Sequence, residues 1–282
     1  MTSQTIPRWQ FFSTLAIAAL AAASALLGLL RPGMYQPALL PGFYVQDGLM
    51  LLVGVPALLV GLWAARAGSI RGLILWLGAL TFMAYMWATV ALQVTFNQFF
   101  LGYVALFGLS VYTLLGGFLG TDPEVVREAM AEGLSERVYG AFLWVIAVGL
   151  AALWLSELVP ATLSGTPPLL VEEVGPQALA SHFIDLSVVV PGLAIAGTLL
   201  WRRHPWGYVV GGVGLVFGAV LAPTLTGMTL LIALEGSVTV PFVAIVFTTL
   251  PALLALGLAI GYLRLIGGEK GSIRSMEPGR PA

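Results

Sequence analysis

Cysteine is absent from the 282-residue sequence, and lysine and histidine are rare. Without cysteine the chain can form no disulfide bond, thiolate metal site or cysteine nucleophile. The single lysine, Lys270, lies near the C-terminus, so no apolar segment can carry a Schiff-base lysine for an aldehyde such as retinal. The two histidines, His182 and His204, would lie about 33 Å apart along one helix, which excludes a haem held between them.

Charge is also scarce, because Asp, Glu, Lys and Arg make up only 9% of the residues while 59% are hydrophobic. An average soluble domain is about 25% charged. A soluble fold of this size could not bury so much apolar surface, so the composition predicts an all-α membrane protein with the lipid bilayer as its solvent. No glycine-rich phosphate loop is present, which excludes an ATP-driven motor. We also expect no nucleic-acid partner.

Eight apolar stretches are long enough to cross a bilayer, whose hydrocarbon core of about 30 Å needs roughly 20 helical residues. They lie near residues 10–30, 46–65, 72–92, 97–119, 138–159, 182–201, 206–231 and 240–264. Alternating the loops between the two sides leaves Arg31 alone on one side and eleven basic residues on the other. These eleven are Arg8, Arg66, Arg71, Arg127, Arg137, Arg202, Arg203, Arg264, Lys270, Arg274 and Arg280. The positive-inside rule then predicts a multi-pass protein of the plasma (inner) membrane with cytoplasmic N- and C-termini.

The eight predicted spans divide into two groups of four around a charged segment. We expect a first half at residues 1–120, a cytoplasmic amphipathic connector at 121–137, a second half at 138–266 and a flexible cytoplasmic tail at 267–282. The connector opens with Thr121-Asp122-Pro123-Glu124, which combines a capping box with proline near the first helical turn. A short helix at the membrane surface is therefore predicted between the two halves.

The two predicted halves share a weak internal similarity. A shift of 138 residues places Asp47 on Asp185 and Trp63 on Trp201, although the mid-helix prolines of these spans do not align under it. Both halves would start from the same side of the membrane, because each has four spans. The sequence therefore predicts a parallel internal repeat, related by an axis along the membrane normal, as in some transporters.

Polar and ionisable side chains gather at the outer ends of the spans. Tyr44 and Asp47 open the second span and His182 and Asp185 the sixth, and a separation of three residues puts each pair on one helix face. Ionisable groups at membrane depth are costly and usually face a cavity or a partner. We therefore predict an outer-leaflet ligand site. Its predicted residues are Asp47, His182, Asp185, Tyr44, Asn97, Glu235, Gln93 and Thr226.

Asp47, His182 and Asp185 could together bind a proton or a cation in one outward-facing cavity. We predict no other cofactor, and the spacing of these residues does not select a particular metal ion. A purely structural role is the alternative. Both aspartates lie near the start of a helix, where a carboxylate favours the positive end of the helix dipole, and His182 could lie among lipid head groups.

Two further features concern contacts with other molecules. Glycines recur through the first half of the seventh span and permit close helix approach, so an oligomer or a membrane partner could pack there. They are Gly207, Gly211, Gly214 and Gly218. The preceding loop, Trp201 to Tyr208, combines aromatic anchors with arginines, which predicts contact with anionic lipids at the cytoplasmic face.

Two segments of the chain carry a resemblance to known sequences. The first is Phe96-Asn97-Gln98-Phe99-Phe100-Leu101-Gly102-Tyr103 and the residues up to Ser110, and the second is Leu200-Trp201-Arg202-Arg203-His204-Pro205-Trp206-Gly207-Tyr208. Both are similar to segments of a family of prokaryotic multi-span integral membrane proteins. The resemblance covers a minor part of the chain. It implies a multi-span helical fold and carries no activity over to this sequence.

The sequence thus favours a transporter-like or receptor-like membrane protein that binds a small solute or cation at its outer side, without catalytic residues. An alternative is a membrane-embedded enzyme that uses His182 and Asp185 as an acid–base pair on a lipidic substrate. A third reading is a non-catalytic subunit of a membrane complex, held by its glycine stripe. Substrate, coupling ion and oligomeric state do not follow from the sequence.

Overall fold

The computed structural model describes residues 6–36, 40–130, 133–235 and 242–267, and this part of the chain is nearly all helical and contains no strand. Within it, eight helices are long and apolar enough to cross a membrane. They are α1 (Arg8–Leu30), α2 (Leu40–Arg66), α3 (Ile70–Gln93), α4 (Phe100–Leu119), α5 (Glu136–Ser164), α6 (Pro176–Trp201), α7 (Pro205–Glu235) and α8 (Phe242–Leu265). The predicted helical class is confirmed, and so are eight helices that are long and apolar enough to span, so the chain is compatible with a multi-span membrane protein.

Helix ends follow local sequence signals. The Ser69 hydroxyl caps α3 by accepting a hydrogen bond from the Gly72 amide at 3.2 Å. The Asp122 carboxylate caps the short connecting helix Pro123–Glu128 in the same way, with Glu124 as its donor at 3.0 Å. The structure therefore contains the predicted short helix between α4 and α5. The predicted tail lies almost wholly outside the described residues.

The arginine-bearing loops other than the one with Arg31 meet at one end of the bundle, which we call the basic end. The Arg71 Nε donates a hydrogen bond to the Ile266 carbonyl at 2.6 Å and so ties α3 to the end of α8. Glu136, at the start of α5, accepts a hydrogen bond from the Tyr208 hydroxyl at 3.0 Å and pairs with Arg203 at 3.3 Å. The opposite end, which carries the buried aspartates, is called the acidic end.

Helix α3 lies at the centre of the bundle, packed against α2, α4 and α7. Its Trp76 is fully buried and donates an indole hydrogen bond to the Thr14 hydroxyl of α1 at 3.2 Å. Gly78 of α3 allows Val216 of α7 to pack directly on the α3 backbone. The second helix of each group of four also contacts the third helix of the other group, since α2 touches α7 and α6 touches α3.

A wide π-helical turn interrupts both α2 and α6, at Met50–Gly54 and at Asp185–Val189. Each turn is followed at once by Val-Pro, with the prolines Pro56 and Pro191. A proline in a regular helix lacks the donor for the preceding turn, and its ring clashes with the carbonyl four residues earlier. That carbonyl lies within the π turn in both helices, so the wider turn accommodates the proline. The sequence did not predict either π turn.

The tight loops that follow α2 and α6 have the same backbone hydrogen bonds. The Ser69 amide donates to the Ala64 carbonyl at 3.0 Å, and the His204 amide donates to the Leu199 carbonyl at 3.0 Å. The residue before each donor is left-handed, with φ of 84° in the first loop and 52° at Arg203 in the second. Glycine tolerates this conformation, whereas an arginine there is strained.

Glycine brings the two helices of each hairpin into backbone contact. A Cβ added at Gly72 would lie 2.5 Å from the Ala65 amide nitrogen, and one at Gly207 would lie 2.5 Å from the Leu200 amide nitrogen. The π turns, the loop hydrogen bonds and these glycines all recur at a separation of 135 residues, as Met50 and Asp185 do at the starts of the π turns. The 138-residue shift predicted from the aspartates is therefore not the register of the backbone.

The glycine stripe of α7 makes its close contacts inside the chain. Gly207, Gly211 and Gly214 face α6, through the backbone of Leu199 and through leucine side chains at 3.3 Å. Gly218 faces α8. The close helix approach predicted from the stripe is therefore present within the protein. A partner protein at this stripe stays a prediction, and these contacts give it no support.

Candidate functional site

A buried polar cluster lies between α3, α5 and α6 near the acidic end. We call it the Asp185 cluster, and it consists of Tyr85, Trp154, Glu157, His182 and Asp185. Asp185 is 5% exposed and begins the π turn of α6. Its Oδ2 accepts a hydrogen bond from the Trp154 indole at 2.8 Å, and the Tyr85 hydroxyl lies near the same carboxylate. Polar groups from two other helices therefore face Asp185.

His182 is 1% exposed, and both of its ring nitrogens have partners. Nδ1 lies 3.0 Å from the Ala178 carbonyl, and because a carbonyl only accepts, Nδ1 carries a hydrogen. Nε2 lies 3.4 Å from the Glu157 Oε2. Two lone pairs would repel each other there, so this contact holds a proton between imidazole and carboxylate. The ring also packs on Trp154, with centroids 4.0 Å apart.

Helical spacing explains how the sequence builds this cluster. His182 and Asp185 are three residues apart on α6, and Trp154 and Glu157 are three residues apart on α5, so each helix presents both side chains on one face. α5 and α6 pack against each other. The sequence prediction included the α6 pair and missed the α5 pair, although the same spacing was visible. Tyr85 of α3 has no comparable signal.

A cavity of about 640 Å³ adjoins the Asp185 cluster between α3, α4, α6 and α7. Its lining is almost wholly apolar and includes Tyr85, Phe107, Phe183, Val188, Gly192 and Phe217. Tyr85 belongs both to this lining and to the Asp185 cluster, so the carboxylate and the cavity share one side chain. Phe183 and Ile195 line the cavity and are 67% and 58% exposed, which places its mouth on the outer face of the helix bundle, between α4 and α6.

A second polar cluster surrounds Asp47, between α1, α2 and the loops of the acidic end. We call it the Asp47 cluster, with Tyr35, Asn97 and Tyr103 as its other members. Asp47 is 2% exposed, and its Oδ2 accepts a hydrogen bond from the Tyr35 hydroxyl at 2.8 Å. Burial and the neighbouring Asp47 carboxylate raise the pKa of Tyr35, so the phenol stays protonated and serves as the donor. Gly28 of α1 leaves room for this pair.

Asn97 ties the loop after α3 to the loop after α1. Its side-chain amide donates to the Met34 carbonyl at 3.4 Å and to the Tyr103 hydroxyl at 3.3 Å. Its carbonyl oxygen accepts from the Phe99 amide at 2.9 Å. Asn97 is thus one of the predicted site residues that the structure brings close to the Asp47 cluster. Its contacts join these loops, and it is not among the residues that line the cavity.

The structure distributes the other predicted residues over several places. Gln93 donates to the Ser181 hydroxyl at 2.9 Å, which joins the end of α3 to α6 beside His182. The Thr226 hydroxyl donates to the Thr248 carbonyl at 3.0 Å and joins α7 to α8. Tyr44 is half-buried on α2. Glu235 ends α7, and its side chain lies outside the described part of the structure.

Asp47 and Asp185 therefore have different partners, while His182 and Asp185 share one cluster. No hydrogen bond or ion pair joins the two aspartates among the described residues. The single cavity predicted for Asp47, His182 and Asp185 stays a prediction. Within the same described ranges, no three His, Asp or Glu side chains stand close enough to hold a metal ion.

Comparison with known proteins gives no further identification of the two clusters or the cavity. No model of a known protein family, no curated protein and no solved structure matches this chain.

Proposed function

We propose that this protein is a transporter- or receptor-type membrane protein that binds a small amphiphilic solute at its outer side. The apolar part of the solute occupies the cavity, and its polar group reaches the Asp185 cluster. One observation carries the proposal: Tyr85 lines an apolar cavity of about 640 Å³ and also contacts a buried carboxylate. Ligand sites typically combine an apolar pocket of this size with a few polar groups.

The mouth of the cavity supports access from the bilayer. Its exposed lining residues, Phe183 and Ile195, lie on the bundle surface that a membrane would cover. A membrane-dissolved solute could therefore reach the Asp185 cluster by passing between α4 and α6. The partner groups of His182 also favour binding over acid–base catalysis on a lipid, because both ring nitrogens are already engaged.

Replacing Gly192 by leucine should strongly weaken solute binding. Gly192 lines the cavity, and a Cβ added there meets no atom within 4 Å, so a leucine side chain can extend into the empty space without a clash. We expect saturable binding of an apolar fluorescent probe such as 1-aminoanthracene by the purified protein in nanodiscs, and at least about tenfold weaker binding by Gly192→Leu. Fluorescence titration against empty nanodiscs measures the difference.

The matched control is Gly149→Leu on α5. That glycine is exposed, meets nothing within 4 Å of an added Cβ, and lies outside the cavity. It should bind the probe as the wild type does. If Gly192→Leu and wild type bind the probe equally while both remain folded, the cavity is not the solute site.

We further propose the topology that the basic residues predict, an inner-membrane protein with the basic end and both termini in the cytoplasm. The chain contains no cysteine, so single cysteines report their own side of the membrane. Cysteines at Gly165 and Gly271 should react oppositely with an impermeant thiol reagent in intact cells, with only Gly165→Cys labelled. Labelling of the Gly271→Cys variant alone would invert the topology. In the proposed topology, the arginines of the basic end meet anionic lipid head groups of the cytoplasmic leaflet.

Finally, we propose that residues 1–120 and 138–266 form a parallel internal repeat. Support comes from the common 135-residue register of the π turns and hairpins, and from the central contact of α3 with α7, the third helix of each half. In this register Asp47 corresponds to His182. Each contacts the first helix of its own half, Asp47 at Gly28 and His182 at Glu157. At matching positions, the second half would have the His182–Glu157 pair and the first half has Asp47 facing Gly28.

A further inference from the structure

We infer that the solute is a lipophilic cation, such as a hydrophobic amine. This inference rests on the proposed function, because it concerns the ligand of the same cavity. It follows from the charge of the Asp185 cluster, from the missing counter-charge of the Asp185 carboxylate and from the aromatic lining of the adjoining cavity.

The Asp185 cluster contains two carboxylates and one imidazole. Glu157 and His182 hold one proton between them, so this pair is neutral overall when His182 is an imidazolium and Glu157 is ionised. An ionised Asp185 then carries the one uncompensated negative charge of the cluster. Its neighbours, the Trp154 indole and the Tyr85 hydroxyl, are neutral and supply no compensating charge.

No arginine or lysine balances Asp185 or Glu157 among the residues that the structure describes. The ion pairs found there give Glu157 only His182, and the arginine pairs involve Glu124 and Glu136 at the basic end. A buried carboxylate without a counter-ion is costly, whereas one that meets a cation in a dry site is stabilised. A cation in the cavity would supply the missing charge.

The cavity lining also suits a cation. Tyr85, Phe107, Phe183 and Phe217 contribute aromatic rings, and Tyr85 meets Phe217 edge to face with ring centroids 5.5 Å apart. Aromatic faces attract cations, most strongly where water is excluded. An anion in the cavity would be repelled by these faces and, across Tyr85, by an ionised Asp185. The cavity should therefore discriminate by charge between molecules of equal shape.

Tetraphenylphosphonium and tetraphenylborate provide that test, because they have nearly the same size and shape and opposite charges. Isothermal titration of the full-length protein in nanodiscs, corrected with empty nanodiscs, should give saturable binding of the phosphonium and at least about tenfold weaker binding of the borate. Asp185→Asn should remove this preference, because asparagine keeps an acceptor for Trp154 and loses the charge. Glu172→Gln, an exposed acid of the same end, should keep it.

The outcomes separate the inference from the proposed function. If the wild type binds both ions equally and Gly192→Leu binds neither, the inference that the solute is a cation is wrong. The cavity would still be the solute site. Binding of the phosphonium that neither Gly192→Leu nor Asp185→Asn weakens would overturn both. Where Asp185→Asn fails to fold, the comparison of the two ions in the wild type carries the test, because equal binding of the phosphonium and the borate would still overturn the charge account.

Discussion

Replacing Gly72 or Gly207 by alanine should lower the free energy of unfolding by about 1–3 kcal/mol in each case. At both positions the new Cβ would lie 2.5 Å from an amide nitrogen of the preceding helix, Ala65 or Leu200. Backbone cannot rotate away as a side-chain tip can, so the hairpin must open and lose its close contact. Unfolding in detergent micelles, followed by circular dichroism with increasing sodium dodecyl sulfate, measures the loss.

The controls for this pair are Gly108→Ala on α4 and Gly149→Ala on α5. Neither added Cβ would meet an atom within 4 Å. Alanine favours a helix over glycine by about 1 kcal/mol, so these variants should be neutral or slightly more stable. A large loss at Gly72 with none at Gly207 would contradict the 135-residue register, because matched positions must respond alike.

The eight-helix fold could be predicted from the sequence because its signals are local. Each span is a long apolar stretch, and the arginines at the loops fix which helix ends lie together. The ends of α2 and α6 differed from prediction, since both helices begin at or beside a proline, at Leu40 and at Pro176. Proline is tolerated in a first helical turn, so the apolar count alone placed these starts too late.

The repeat register shows where side-chain identity misleads. Asp47 and Asp185 suggested a shift of 138 residues, under which Pro56 and Pro191 did not align. The backbone aligns these prolines, because each needs the π turn before it. A π turn holds one residue more than the hydrophobic period predicts, and nothing in the surrounding apolar residues marks it. Proline was the better guide, since it constrains the backbone directly.

The Asp185 cluster was predictable only along one helix. The spacing of His182 and Asp185 predicted one shared face of α6, and both side chains contact Trp154 in the structure. Trp154 and Tyr85 come from α5 and α3, and no local pattern states which face of those helices turns toward α6. The partner of Asp47 was harder still, because Tyr35 lies in a loop and Tyr44, at helical spacing, is not the donor.

Gly28→Ala should show that Asp47 contributes to stability and not to solute binding in the cavity beside Asp185. The added Cβ would overlap the Asp47 Oδ2 and the Tyr35 hydroxyl oxygen, so the carboxylate must give up its hydrogen bond or α1 must move away from α2. A buried acceptor that loses its donor costs about 1–3 kcal/mol, and more when it is charged. We expect a loss of at least that size in the free energy of unfolding, with probe binding in the α3–α4–α6–α7 cavity unchanged in the folded protein.

A double-mutant cycle with Tyr35→Phe tests whether the loss comes from this hydrogen bond. Tyr35→Phe removes the donor in advance, so adding Gly28→Ala to it should cost less than Gly28→Ala costs alone, with a coupling of about 0.5–3 kcal/mol. Gly48→Ala, one residue beyond Asp47 and with no atom within 4 Å of its added Cβ, is the matched control and should leave stability unchanged or raised. Additive losses would instead mean that Gly28 matters for the approach of α1 to α2. Weaker probe binding by Gly28→Ala would instead indicate that Asp47 belongs to the solute site, as the sequence predicted.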